Sequence, residues 1–249
     1  MPRQALLRNT SFLFATCGLA VAGIAAVAPA RPALARVVID TSRPDSDKAQ
    51  DAARKPAMMI RFANIKPKQT VVELLPGDGY FTRVFSNAVG ARGRIIAVEP
   101  GKKDAIRALT REPRRGNVIP SSGALDRFVS PGTADVVWTS RNYHDLKGAG
   151  APAGSAALVN KAAFEALKPG GYYVVLDHSA APGSGVRDVD TLHRIDAETV
   201  KADVLAAGFV LDGESPLLAN SADARTAAVF DPSIKGRTDQ FVLRFKKPG

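Results

Sequence analysis

Three observations predict a three-layer α/β sandwich. Short β-rich runs alternate with helical runs through most of the chain. The runs are continuously apolar rather than alternating, the pattern of strands buried on both faces of a mostly parallel sheet. The first of them ends in Pro76-Gly77-Asp78-Gly79-Tyr80, a glycine turn that opens a helix. Composition agrees with a folded domain. The 249 residues are 45% hydrophobic and 23% charged, which excludes a disordered polymer, and 17 Pro and 21 Gly without a period exclude collagen and long coiled coils. No internal repeat stands out.

The elements follow in order. Residues 36–50 are polar and Pro-interrupted; a linker is expected over 36–45 and the domain over 46–249. Ser46 can cap a first helical segment, and Pro56 suits the first turn of another carrying Met59, Ile60 and Phe62. Strand and helix then alternate: Thr70–Leu75 and Tyr80–Ala88, Arg94–Glu99 and Lys102–Leu109, strand Asn117–Pro120, then Ala134–Thr139 and Ser155–Leu167. The last of these helices carries Val159, Ala163, Ala166 and Leu167 on one face, and Leu-Lys-Pro-Gly-Gly (167–171) stops it. Tyr172–Leu176 reads as an apolar strand, Asp190–Ala207 as a helix, and Phe209–Gly213 and Gln240–Phe245 as strands. A long loop over 214–239 separates the final two, which suggests an antiparallel pair.

The N-terminus reads as an address. Arg3 and Arg8 precede an apolar stretch from Phe12 to Ala28, no acid occurs in residues 1–35, and Ala33-Leu34-Ala35 offers a small-x-small cleavage site. Cleavage before Arg36 is expected, placing the chain in the periplasm. An uncleaved leader would instead anchor it in the inner membrane, but the stretch is short and rich in Ala and Gly. Lipoprotein processing at Cys17 is disfavoured, because Phe14-Ala15-Thr16 lacks the usual Leu. Cleavage removes the only cysteine, so neither a disulfide nor thiolate chemistry is expected.

The formal charge of +10 permits attraction to anionic surfaces but names no partner. Residues 102–115 hold Lys102, Lys103, Arg107, Arg111, Arg114 and Arg115 against Asp104 and Glu112. Without interleaved aromatics this reads as a solvated helix face, and no nucleic-acid partner is expected.

Gly77 and Gly79 sit where the backbone turns and where a ligand approaches it closely. A Walker loop needs Gly-Lys-Ser/Thr, and no Lys is present. A dinucleotide fingerprint would place Gly or Ala where Thr82 stands, and Asp78 would repel a pyrophosphate. A ligand without phosphate fits better. S-adenosylmethionine is one: a nucleoside, a sulfonium cation and an amino-acid zwitterion, beside which carboxylates are favourable. Glu99 ends the second strand, 26 residues after Glu73, where a carboxylate can accept from both ribose hydroxyls.

The order Glu-x-x-Pro-Gly-x-Gly-Tyr (73–80), strand-end Glu99, Ala-Asp-Val-Val-Trp-Thr-Ser-Arg-Asn-Tyr-His-Asp (134–145) and Leu-Lys-Pro-Gly-Gly (167–171) resembles class I S-adenosylmethionine-dependent methyltransferases. Within that class the chain is most similar to the exported predicted methyltransferases of bacteria, sharing His193-Arg194-Ile195-Asp196 and Gly236-Arg237-Thr238-Asp239-Gln240-Phe241. The resemblance spans about residues 45–247. It implies a Rossmann-like sheet of seven strands in the order 3-2-1-4-5-7-6, with strand 7 antiparallel. The class carries a glycine where Leu75 stands, which touches the contacts to the donor's methionine end.

On this reading Glu73, Gly77, Asp78, Gly79, Tyr80, Glu99 and Asn142 are the candidate donor-binding residues. Tyr143, His144 and Asp145, after the fourth strand, are the candidate catalytic ones. Methyl transfer asks the protein to position the acceptor and, where needed, to take its proton. A neutral imidazole does this near neutral pH, so His144 is the candidate base and Asp145 its orienting group. A structural turn remains the plain alternative for the same residues. Asp177-His178 ends the fifth strand and His193-Arg194 lies near the next helix. The spacing of 144, 178 and 193 matches no compact zinc pattern, so no metal site is expected. Arg194 and Asp196 read as a helix-start ion pair, and no Gly-x-Ser-x-Gly elbow points to a hydrolase. The expected activity is methyl transfer to a small acceptor. The alternative is a non-catalytic periplasmic nucleoside-binding protein on the same fold.

Overall fold

In a computed structural model, Met1, Asp40, residues 42–101 and residues 104–249 are described. The leader, its cleavage site, Cys17, Lys102 and Lys103 lie outside the described residues.

Seven strands form one sheet: β1 (Thr70–Leu74), β2 (Arg94–Val98), β3 (Val118–Ser121), β4 (Ala134–Ser140), β5 (Leu167–His178), β6 (Val210–Ser215) and β7 (Gln240–Lys246). The order is β3-β2-β1-β4-β5-β7-β6. The β3-β2-β1-β4-β5 pairs are parallel, and β7 runs antiparallel to both β5 and β6. Successive strand residues point to opposite faces. Val71 therefore joins a core with Phe85, Trp138 and Val174, while Val72 joins a second core with Val137, Val159 and Tyr173. The first core is covered by α3 (Pro56–Phe62), α4 (Tyr80–Val89) and α5 (Asp104–Leu109), and the second by α6 (Ser155–Ala166) and α8 (Ala197–Ala206). Each wholly buried Val or Phe contributes about 1.5–3 kcal/mol. Among the described residues, no helix is long and apolar enough to cross a membrane.

α1 (Asp45–Lys48) and α2 (Asp51–Arg54) form where a first helical segment is expected, and Asp40, Arg43 and Asp47 are buried. Four expectations change. Pro44, not Ser46, occupies the position before α1. Arg115, placed by sequence on a solvated face, is wholly buried and donates to Asp40 Oδ2 at 2.6 Å. The helix expected over 190–207 is broken. His193, at φ +52°, ends α7 (Val189–Leu192), Ile195 bridges to Ser179 beside β5, and Asp196 restarts the chain as α8 by accepting from Glu198 N at 3.1 Å. The break follows from Arg194, which pairs with Asp223 at 2.8 Å rather than with Asp196, and also donates to the Ser179 and Ala227 carbonyls.

Candidate functional site

The sheet order reverses between β1 and β4, and ligands of open α/β sheets bind beyond the strand ends at such a point. Both chains leave the sheet there in the left-handed region without a glycine: Leu75 at φ +52° and Arg141 at φ +63°. Left-handed backbone costs an L-residue roughly 1–2 kcal/mol. The two turns are tied together. Asn142 Nδ2 donates to the Leu75 carbonyl at 3.0 Å, and Asn142 Oδ1 accepts from the Thr139 hydroxyl.

A cavity of about 420 Å³ opens at this point, lined by Glu73, the 75–78 turn, Tyr80, Arg141 and Asn142 and roofed by Asp47, Gln50 and Arg54 of the N-terminal helices. Gly77, at φ +56°, faces open space. Gly79, at φ +80°, packs so closely that an added Cβ would meet Leu109 at 2.4 Å. Glu73 is buried, and the Thr82 hydroxyl donates to it at 2.6 Å. Burial pushes its carboxyl up to about 8, and the nearby charge of Glu99 adds to the push while Arg54 opposes it. Two cations border the same space. Burial lowers both Arg54 and Arg141, the latter to about 10, and the like charge of Arg54 contributes to the fall at Arg141. Tyr80 donates to Asp51 Oδ1 at 2.6 Å, and Arg54 lies over its ring at 4.4 Å. Asp78 is exposed at the cavity wall, its carbonyl accepting from Arg83.

A second cavity, of about 530 Å³, shares Leu75 with the first and is lined mainly by Pro100, Leu125, Asp126, Leu146 and Val159. Glu99 is half-buried at the end of β2, directly before Pro100, and its backbone N–H donates to the Ser121 carbonyl at 3.0 Å.

The candidate catalytic residues separate. Tyr143 is wholly buried in the second core, where its hydroxyl accepts from Asn160 at 2.8 Å and reaches Asp203 at 3.4 Å. Its side chain lines neither cavity. His144 is held by Asp177, which is wholly buried at the end of β5. One carboxylate oxygen accepts the His144 backbone N–H at 2.9 Å, and the other accepts Nδ1–H at 2.9 Å and the His178 backbone N–H at 2.7 Å. The free face of the ring is Nε2, 3.3 Å from Asp145 Oδ1. Burial works against charging this ring, but the hydrogen bond and charge of Asp177, with Asp145 behind them, raise its pKa above the ordinary value. Burial drives His178 the other way, to about 4, and its Nδ1 lies 2.8 Å from the Thr238 hydroxyl. His193 packs edge-on to His144, with ring centroids 5.5 Å apart.

Sequence reasoning missed the roof. Arg54, Asp47 and Gln50 belong to a stretch where a first helical segment is expected from Ser46, but nothing local marks their side chains as facing a cavity. Asp177 was visible as a strand-end acid, but its partnership with His144 is a tertiary contact.

Solved structures with this architecture include an S-adenosylmethionine-dependent methyltransferase from Aquifex aeolicus, at TM-score 0.58 and 14% identity over 82% of this chain and 98% of that one. The N-methyltransferase NodS from Bradyrhizobium japonicum gives 0.57 and 16% over 79% and 96%. The [4+2]-cyclase SpnF gives 0.61 and 17% over 80% and 82%. At these identities the likeness is one of fold. No curated protein matches the sequence. The sheet order and the crevice at its reversal define a class I methyltransferase fold. The family model for protein-L-isoaspartate(D-aspartate) O-methyltransferases matches residues 45–176, more than half the chain, and the protein belongs to that family.

Proposed function

We propose that the protein binds S-adenosylmethionine across the two cavities and directs its methyl group to a small acceptor at the His144 lip. One observation carries the reading. The first cavity sets an under-compensated buried acid, Glu73, among two partly desolvated cations, Arg54 and Arg141. That is the complement of an amino-acid zwitterion, with the ammonium on Glu73 and the carboxylate on the arginines. Gly77 lets the ligand approach the backbone, Glu99 accepts from the ribose, and the apolar second cavity takes the adenine, with Asp126 available to its amino group. Asn142 acts by fixing the Leu75 turn, since both ends of its amide are already engaged. Bound there, the donor supplies a methyl on a sulfonium, open to in-line attack.

Asp177 fixes His144 with its proton on Nδ1, so Nε2 is the atom that accepts the proton an acceptor O–H or N–H gives up. A carboxylate acceptor, which the family's name favours, arrives already ionised and leaves His144 a positioning group. The two cases differ in His144→Ala, which stops transfer to a protonated acceptor and spares transfer to a carboxylate. We also read residues 1–35 as an export leader. N-terminal sequencing of protein recovered from the periplasm checks this and is expected to begin at Arg36.

The test is calorimetry of the donor and of S-adenosylhomocysteine in buffers of different ionisation heats. Binding at pH 7 is expected to release close to one proton as Glu73 ionises, and Glu99→Ala should abolish it. Absence of binding sinks the reading. Binding without methylated product from a broad acceptor mixture would leave a nucleoside-binding module.

A further inference from the structure

The lip after β4 and β5 carries a constellation of which only Asp145 borders the cavities described above. His144, Asp145 and His193 each offer one ligand atom, and the three atoms lie within 4.8 Å of one another. Asp177 occupies His144 Nδ1, so Nε2 is the atom turned to the group. In its neutral form that ring would set a lone pair against Asp145 Oδ1 at 3.3 Å, acceptor against acceptor. Only a proton or a cation between them makes the contact favourable.

The arrangement matches how proteins build transition-metal centres. Metal-bound histidines donate their other ring N–H to a carboxylate, which fixes the ring and raises its basicity, as Asp177 does here from a wholly buried position. Four-coordinate zinc, with bonds of about 2.0–2.1 Å, separates its ligand atoms by roughly 3.4 Å, close to the His144–Asp145 distance. The side chain of Asp145 is 58% exposed and free to close the remaining gap. His193 is set from its far side by Phe230, with ring centroids 4.9 Å apart, and from its own chain by the buried Arg194–Asp223 pair. Two imidazoles and one carboxylate suit zinc, cobalt or copper better than magnesium or calcium.

We propose that His144, Asp145 and His193 form a site for a divalent transition-metal ion, with an open coordination position toward solvent and Asp177 as the outer carboxylate. Glu73, Arg54 and Arg141 take no part in it, and Asp145, at the wall of the second cavity, is the one ligand it shares with the proposed donor crevice. An ion on Nε2 also prevents that nitrogen from taking a proton. Occupancy and proton acceptance by His144 therefore exclude each other, and added metal should suppress transfer to acceptors that must lose a proton.

The experiment is titration of the chelator-treated full chain with Co²⁺, followed by visible absorption, and with Zn²⁺ by calorimetry. The expected result is about one equivalent of saturable binding with the intense bands of low-coordinate cobalt. His193→Asn, which tolerates the left-handed backbone, and the surface variant Asp145→Ala should each weaken binding at least tenfold, and Asp177→Asn by about 10–100-fold. Far-UV circular dichroism confirms that each variant is folded. Wild-type affinity no tighter than that of His193→Asn and Asp145→Ala, or a spectrum that stays that of aqueous cobalt, overturns the site. S-adenosylmethionine binding is measured on the same samples, and its failure alone leaves the metal result standing.

Discussion

Two buried carboxylates end neighbouring parts of the same sheet and are treated in opposite ways. Asp177, at the end of β5, is met by three N–H donors, all from the lip it organises. Glu73, at the end of β1, is met by the Thr82 hydroxyl and by the more distant charges of Arg54 and Arg83, and burial leaves it with a proton up to about pH 8. The first is finished by the fold. The second is left under-compensated within the fold, and that is the feature on which the proposed ligand would act.

The largest expected effect tests the unfinished acid. The folded-state pKa of Glu73 lies above that of the unfolded chain, so the native state holds the extra proton and stability falls as pH rises from about 4.5 to about 8. The loss is on the order of 4 kcal/mol at its upper limit, and Glu73→Gln should flatten it. Urea titrations at pH 5 and pH 8.5 measure both; equal slopes in the two proteins would remove the contrast. Asp177→Ala tests the finished acid. It strands three buried donors, and a loss of about 3 kcal/mol or more is expected at any pH where the fold persists. Asp177→Asn, which keeps some acceptors, should cost about half that in the same assay.

Smaller effects sharpen the comparison at the glycine turn. Gly79→Ala combines left-handed strain with displacement of Leu109, and should cost about 1–2 kcal/mol in thermal or chemical melts. Gly77→Ala carries the strain alone, about 1 kcal/mol, but its methyl stands in open space at the wall of the first cavity. It should therefore weaken S-adenosylmethionine more than Gly79→Ala does, and calorimetry with both variants decides the order.

Most of the fold was legible because its signals are local. Apolar runs such as Val71-Val72 and Val136-Val137 mark strands buried on both faces, and the glycine turn and Leu-Lys-Pro-Gly-Gly mark where helices start and stop. The strand order came from the resemblance, not from periodicity, and the sheet has that order. What escaped depends on distant charge pairs. Arg194 finds Asp223 across a long loop and thereby breaks a helix that its own neighbourhood favours. Arg115 finds Asp40, and a solvated face becomes an interior one. Tyr143 sits in a motif full of chemistry yet points into the second core, because the left-handed turn at Arg141 and the helical backbone at Tyr143 redirect the chain after β4.

Arg115 has no water to share its charge with, and Asp40 is the carboxylate laid directly against it. That acid falls only a few positions beyond the expected leader cut at Arg36. Removal of Asp40 would take from a guanidinium deep in the interior its nearest carboxylate, leaving Glu112 at 3.9 Å. Chains that keep this acid and chains that lack it would therefore differ in stability.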